Sequence, residues 1–246
     1  MSDVVDSIRE RYLMMLDSIA SAAKKAGRAP ESVSLVVVTK SQPVEIVRAA
    51  IEAGAKILGE NYAEEGVTKL QSLREFSAVE WHMIGHVQSR KAQLVAANFN
   101  LMHSLDSLKL AKRLDRFSAE AGRQLPVLLE FNVGGEDSKG GWSAWDEARW
   151  SELLGDVSEV LALPNLKVRG LMTMPPLGST AEFSRPFFQR LRRLQGFLVS
   201  QFSQADFSEL SMGTSSDFET AVEEGATFVR VGTAIVGARN YKKEAE

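Results

Sequence analysis

The residues with the clearest chemistry are a lysine that ends an apolar run and two glycine-hydroxyl loops far downstream of it. Leu35, Val36, Val37, Val38 and Thr39 lead into Lys40, and Ser41, Gln42 and Pro43 follow with helix-start chemistry. An amine so placed stands at the carboxyl end of an expected buried strand, the end at which α/β proteins gather reactive groups. Downstream, Met212-Gly213-Thr214-Ser215-Ser216-Asp217 and Gly232-Thr233 combine backbone N–H groups made approachable by glycine, hydroxyl donors and an expected helix start near Asp217. That combination suits a phosphate.

Other chemistry-bearing residues point less far. His82, His86 and His103 lack metal-ligand spacing, and without cysteine or clustered carboxylates the chain is not expected to hold a metal. Glu130 and Arg169 share strand parity with Asn132 and Leu171, which predicts a buried ion pair inside the fold. The glycine-rich run over 134–141, with Ser138 and Lys139 in it, reads equally as a lid or as a solvated turn.

The elements that must position these residues recur as strand, then helix. A helix over 3–26 comes first, with Val5, Ile8, Tyr12, Met15, Ile19 and Ala22 on one face, and Gly27 and Pro30 end it. Strands are expected over 35–40, 56–60, 81–85, 101–104, 127–133, 167–173, 209–211 and 227–231. Helices are expected from Ser41 or Pro43 to Gly54, then over 62–73, 88–97, 106–122, 144–161, 181–201 and 218–224. Eight strands, each but the last leading into a helix, after one extra amino-terminal helix favour a (β/α)8 TIM barrel, with a doubly wound open sheet as the alternative. The loops tip the choice, because such barrels commonly bind phosphate between the loops after strands seven and eight and a short helix start. Lys40 then faces a phosphate site across the barrel mouth, the arrangement that holds a phosphorylated carbonyl compound while a desolvated amine forms a Schiff base. Pyridoxal phosphate or an aldolase's sugar phosphate fits.

Composition bounds the partners. A chain of 246 residues, 44% hydrophobic and 25% charged, with no linker-like stretch, is expected to form one α/β domain over 1–246, its first helix (1–30) packed on the barrel. The net charge of -3, with Lys and Arg interspersed among Asp and Glu, argues against nucleic acid. The absence of cysteine excludes disulfides and thiolate catalysis. With no membrane-length apolar run and an acidic, polar start, a cytoplasmic protein without a membrane partner is expected.

Several short stretches carry a family pattern. Val37-Val38-Thr39-Lys40, Gly59-Glu60-Asn61-Tyr62, Trp81-His82-Met83-Ile84-Gly85 with Gln88 and Lys91, and Ser138-Lys139 with Gly141 are joined by four more. These are Arg169-Gly170-Leu171-Met172, Ser211-Met212-Gly213, Ser215 with Asp217, and Val229-Arg230-Val231-Gly232-Thr233 continuing to Arg239 and Tyr241. In this order they resemble the pyridoxal phosphate homeostasis protein family. The resemblance implies a barrel like the amino-terminal domain of alanine racemases and ornithine decarboxylases. It also implies that Lys40 carries pyridoxal phosphate as a Schiff base. By the same resemblance Ser215, Gly232 and Thr233 hold the phosphate with Arg230 beside them, and Asn61, Met83 and Met172 line the pocket. On the residues alone, Met83 and Met172 fit barrel core as well. The chain departs from the pattern at Thr214, Ser216, Arg90 and Trp142; Ser215 keeps its hydroxyl between the first two.

Holding this cofactor does not make an enzyme, because turnover also needs a substrate-carboxylate site, proton carriers and control of the ring nitrogen. In racemases of this fold a tyrosine from an additional domain supplies the second base, and Tyr12, Tyr62 and Tyr241 lie in no such domain. The expected role is storage and delivery of the cofactor by a monomeric carrier, with apo-enzymes that need it as recipients. A weak amino-acid racemase using Lys40 as base is the alternative, and a Schiff-base aldolase a third reading.

Overall fold

The computed structural model describes residues 2–136, 138–176, 178 and 180–238; Asp137, Arg239 and Tyr241 lie outside them. Short runs rich in β-branched residues become strands covered on both faces, as parallel strands must be. They are β1 (Ser34–Val38), β2 (Ile57–Glu60), β3 (Glu80–Met83), β4 (Leu101–Leu105), β5 (Leu125–Asn132), β6 (Trp142–Ser143), β7 (Leu166–Met172), β8 (Glu209–Ser211) and β9 (Phe228–Val231). Neighbours pair in the order β4-β3-β2-β1-β9-β8-β7-β5, and a β4–β5 pairing closes the ring. Every pairing is parallel. The closed barrel is the observed fold, and the open sheet is excluded. β6 only extends β5, with Phe131 opposite Trp142.

The helices are α1 (Ser2–Lys25), α2 (Val44–Glu52), α3 (Ala63–Ser72), α4 (Ala92–Asn98), α5 (Leu108–Glu120), α6 (Leu154–Leu161), α7 (Ala181–Gln201), α8 (Phe218–Glu223) and α9 (Thr233–Val236). The helix expected over 144–161 divides into a 3-10 segment, Glu147–Leu153, and α6. Asp146 opens the segment by accepting from the Ala148 N–H at 3.1 Å, which tightens its first turn. β6 and α9 had no counterpart in the sequence reading, being too short for periodicity to register.

Alternation splits each strand between two cores. Leu35 and Val37 of β1 pack outward among the helices, whereas Val36 joins Ile84, Leu101, Leu128, Met172 and Phe228 in a separate core inside the barrel. The predicted Glu130–Arg169 pair does not form. A bulge intervenes, Val127 pairing with Val168 but Leu128 with Gly170, so Arg169 is the extra residue near the amino end. Its Nη2 donates to Glu209 Oε1 at 2.5 Å, while Glu130 sits opposite Met172 at the carboxyl end.

α1 packs on α2, α8 and α9, beside the seam where β1 meets β9. Its buried face includes Ile8 and Ile19, and Arg11 Nε donates to the Ile235 carbonyl of α9 at 2.6 Å. No helix among the described residues is long and apolar enough to cross a membrane. Ile8 is 1% exposed, so Ile8→Ala should lower stability by about 2–4 kcal/mol in chemical denaturation. A loss well below 1 kcal/mol would mean that α1 merely rests on the barrel.

Candidate functional site

Strand parity carries the site residues to the barrel mouth. Val36 and Val38 face the interior from β1, and Lys40, two residues beyond the strand end, continues their face. Asn61 does the same for β2, following Ile57 and Gly59. With Val38, Ile84, Met174, Thr214, Ser215, Arg230, Gly232 and Thr233 these two residues line a cleft of ≈ 140 Å³. Of the residues expected to form a cofactor site, Lys40, Asn61, Ser215, Arg230, Gly232 and Thr233 therefore come together. Met83 does not join them, because it lies in the outer core on the face of β3 opposite His82, and Ile84 takes the inward place. Met172 faces inward but belongs to the barrel core, and Met174 lines the cleft in its stead.

The turn that presents Lys40 is held from behind by a buried charge cluster. Lys69 Nζ donates to the Thr39 carbonyl at 2.6 Å, to Glu60 Oε1 at 2.8 Å and to Glu65 Oε1 at 2.6 Å. Thr39 Oγ1 donates to the same Glu60 oxygen at 2.6 Å. Burial raises the Glu60 carboxyl above its usual range, against the pull of Lys69. Ser41 takes a left-handed φ of 58°, a conformation costly for a non-glycine residue, and its N–H donates to Glu65 Oε1 at 2.7 Å. Charge pairing on the helix side thus fixes the backbone on both sides of Lys40.

The loops after β8 and β9 are built on close approach. Gly213 has φ 92°, and a Cβ there would lie 2.5 Å from Ala221 Cβ. Asp217 shapes the same loop by accepting from the Thr214 N–H at 2.7 Å and from Ser184 Oγ at 2.7 Å. Ser215 and Thr233 are exposed, and Thr233 opens α9, whose first N–H groups have no partner within the helix. Across the cleft Asn61 is hemmed in at Gly85, where a Cβ would lie 2.4 Å from the Asn61 carbonyl. The Asn61 Oδ1 is buried without a hydrogen-bond partner. A buried amide oxygen without a partner is costly, and it marks Asn61 as a residue the fold itself does not satisfy.

Comparison with known proteins decides the family. Residues 15–240 match the family model of the alanine racemase N-terminal domain. A pyridoxal phosphate homeostasis protein of Vibrio alginolyticus is 40% identical over 240 residues, covering 96% of this chain and 100% of the relative. The chain belongs to the pyridoxal phosphate homeostasis protein family. PipY of Synechococcus elongatus, solved with PLP bound, superposes with a TM-score of 0.80 at 34% identity, over 94% of this chain and 100% of that one. Alanine racemase of Clostridium difficile shares the fold, with a TM-score of 0.67 at 15% identity over 96% of this chain and 57% of that one.

Arg230 is the buried charge lining the cleft, and Glu130, at the carboxyl end of β5, is a half-buried carboxyl. Arg230 is 4% exposed, and its Nη2 donates to the Thr173 carbonyl and contacts Met174 Sδ, each at 3.0 Å. Burial draws its guanidinium down to about 10, opposed by Glu130 and Asp217. Burial, with Asp106 beside it, pushes the Glu130 carboxyl up to about 7, while Arg230, His86 and Lys139 pull the other way. The run over 134–141 is tied at its start by Asn132, which accepts from the Gly135 N–H at 2.9 Å and donates to the Glu136 carbonyl at 2.8 Å.

Met174 and Lys69 escaped the sequence reading, Ile84 was named there but not as cleft wall, and Asp217 was read as a helix start rather than as an acceptor that shapes the loop. Glu65 and Lys69 at i,i+4 look like an ordinary solvated pair.

Glu130 binds its proton more tightly in the folded state, with a pKa of about 7 against 4.5. Stability should therefore fall as pH rises through that window, by on the order of 3 kcal/mol, and Glu130→Gln should flatten the slope. Identical pH slopes for the two proteins in urea unfolding would refute the assignment. Lys69→Met strands Glu60 without its cation and should cost about 3–5 kcal/mol in the same assay.

Proposed function

We propose that this protein binds pyridoxal phosphate at the barrel mouth, holds it in Schiff-base linkage to Lys40, and stores and delivers it rather than turning over a substrate. The observation that carries the reading is the cleft itself, where an anchored amine faces exposed hydroxyls at a helix start across a floor formed by a buried arginine. The PLP-bound structure of PipY and the name shared by the curated relatives support it.

The residues present fit the cofactor. Ser215 and Thr233 offer hydroxyls, and the N–H groups at the start of α9 add donors where Gly232 has no side chain to obstruct a phosphate. Asn61 adds polar wall beside Lys40. Ile84 and Met174 contribute apolar wall, and Arg230 supplies a fixed positive charge below. The bound cofactor contributes an aldehyde that condenses reversibly with an amine. The chain's part is to keep the Lys40 backbone rigid, through Lys69 and Glu65, so that the amine stays at one place while the phosphate is gripped opposite. A store and donor needs this reversible grip and no further proton carrier.

Borohydride treatment of the pyridoxal phosphate-loaded protein, followed by peptide mapping, should place the label on Lys40, and Lys40→Ala should lose both label and visible absorption. A label elsewhere would mean that another residue carries the linkage. Sustained formation of D-alanine or D-serine by the purified protein, abolished by Lys40→Ala, would replace the carrier with a racemase.

A further inference from the structure

A row of buried hydrogen bonds runs inside the barrel from the cleft floor to the amino end of the strands. Arg230 Nη1 donates to Ser211 Oγ at 2.5 Å, and Ser211 Oγ lies 2.7 Å from His103 Nδ1. His103 Nε2 and His82 Nδ1 are 2.9 Å apart, and His82 Nε2 reaches Glu80 Oε2 at 3.1 Å. Ser211 and His103 are 0% exposed and His82 is 1% exposed, whereas the Glu80 side chain is 58% exposed at the far end. Phe228 seals the row laterally, its ring edge-on to both imidazoles at 5.7 and 5.1 Å.

Counting protons fixes the direction of every bond in the row. An ionised carboxylate only accepts, so His82 Nε2 carries the proton that Glu80 receives. A neutral imidazole has one N–H, so His82 Nδ1 accepts from His103 Nε2–H. His103 Nδ1 then accepts from the Ser211 hydroxyl, whose oxygen takes the Arg230 N–H. All four bonds point from the cleft to the outer end, and each polar group is satisfied with both rings neutral. A proton added to either ring would reverse the bond to Ser211 and leave the Ser211 hydroxyl hydrogen without its imidazole acceptor. Burial holds both imidazoles below the usual histidine range, and His103, beside His82 and Arg230, lies well below it.

Among the described residues Arg230 makes no ion pair, its partners being Ser211, the Thr173 carbonyl and Met174. A buried guanidinium held without a directly bound carboxylate depends on oriented neutral acceptors for both its place and its solvation. We propose that His82 and His103 are positioning residues for Arg230, the chain Arg230–Ser211–His103–His82–Glu80 fixing the guanidinium beneath the cleft and thereby setting the affinity and absorption of the cofactor held above it. The cofactor half of this statement rests on the pyridoxal phosphate reading of the cleft.

The cofactor-free protein tests the chain by itself. Nitrogen NMR at neutral pH should show His82 and His103 neutral, with the proton on Nε2 in each. A slowly exchanging Arg230 side-chain N–H resonance should be lost in Ser211→Ala and in His103→Leu. A charged ring, a proton on Nδ1 of either, or an Arg230 resonance indifferent to both substitutions overturns the inference. Titration with pyridoxal phosphate tests the consequence. Affinity should fall roughly ten- to a hundredfold in either variant, and the visible absorption or its pH dependence should shift, with circular dichroism confirming the fold. Ser211→Ala removes a single hydroxyl and keeps the measurement available if His103→Leu does not fold. A folded variant with wild-type affinity and spectrum sinks the proposal. If the wild type fails to bind pyridoxal phosphate, the reading of the cleft falls, and the cofactor-free measurement alone decides the chain.

Discussion

The register between β1 and β9, from Ser34 opposite Phe228 to Val37 opposite Val231, joins two stretches from opposite ends of the sequence. Everything at the mouth follows from that seam. It sets Val36 beside Arg230, so that the lysine beyond β1 and the loop beyond β9 emerge next to each other. At Gly232 a Cβ would meet the Val38 carbonyl at 3.1 Å, so the two exits are in near contact. Such a pairing closes a very long loop, and its entropic cost is recovered only when the intervening units have docked.

Two ways of burying positive charge coexist in this barrel. Outside the barrel Lys69 is neutralised by Glu60 and Glu65, and the desolvation of its ammonium is offset by direct pairing. Inside, Arg230 leans on a hydroxyl, a carbonyl and a thioether, with the nearest opposing charges, Glu130 and Asp217, acting through space. The first arrangement stiffens backbone. The second leaves net positive potential at a surface that a ligand can reach, where an anion recovers the energy of burying the arginine.

Much of this was legible in the sequence, for identifiable reasons. Strand and helix order showed through because each apolar run is punctuated by glycine, proline or a cap, and Lys40 and the 212–217 loop stood at element ends, where type and position can be read together. The phase of each strand was hidden. In a parallel barrel both faces are apolar, so nothing in Trp81-His82-Met83-Ile84 says which alternate residues look inward, and Met83 was expected at the cleft where Ile84 stands. The bulge at Arg169 shifted parity within β7 and dissolved the expected ion pair with Glu130. The charge cluster behind Lys40 gave no sign, because its members come from β2, α3 and the end of β1.

α9 has four residues and could not persist as an isolated helix. Part of what holds it is Arg11, reaching across from α1 to the Ile235 carbonyl. α1, which is absent from the cleft lining, therefore braces from outside the segment that carries Gly232 and Thr233. Selection acting on the first turns of the chain can thus shift α9 and leave every residue that lines the cleft unchanged.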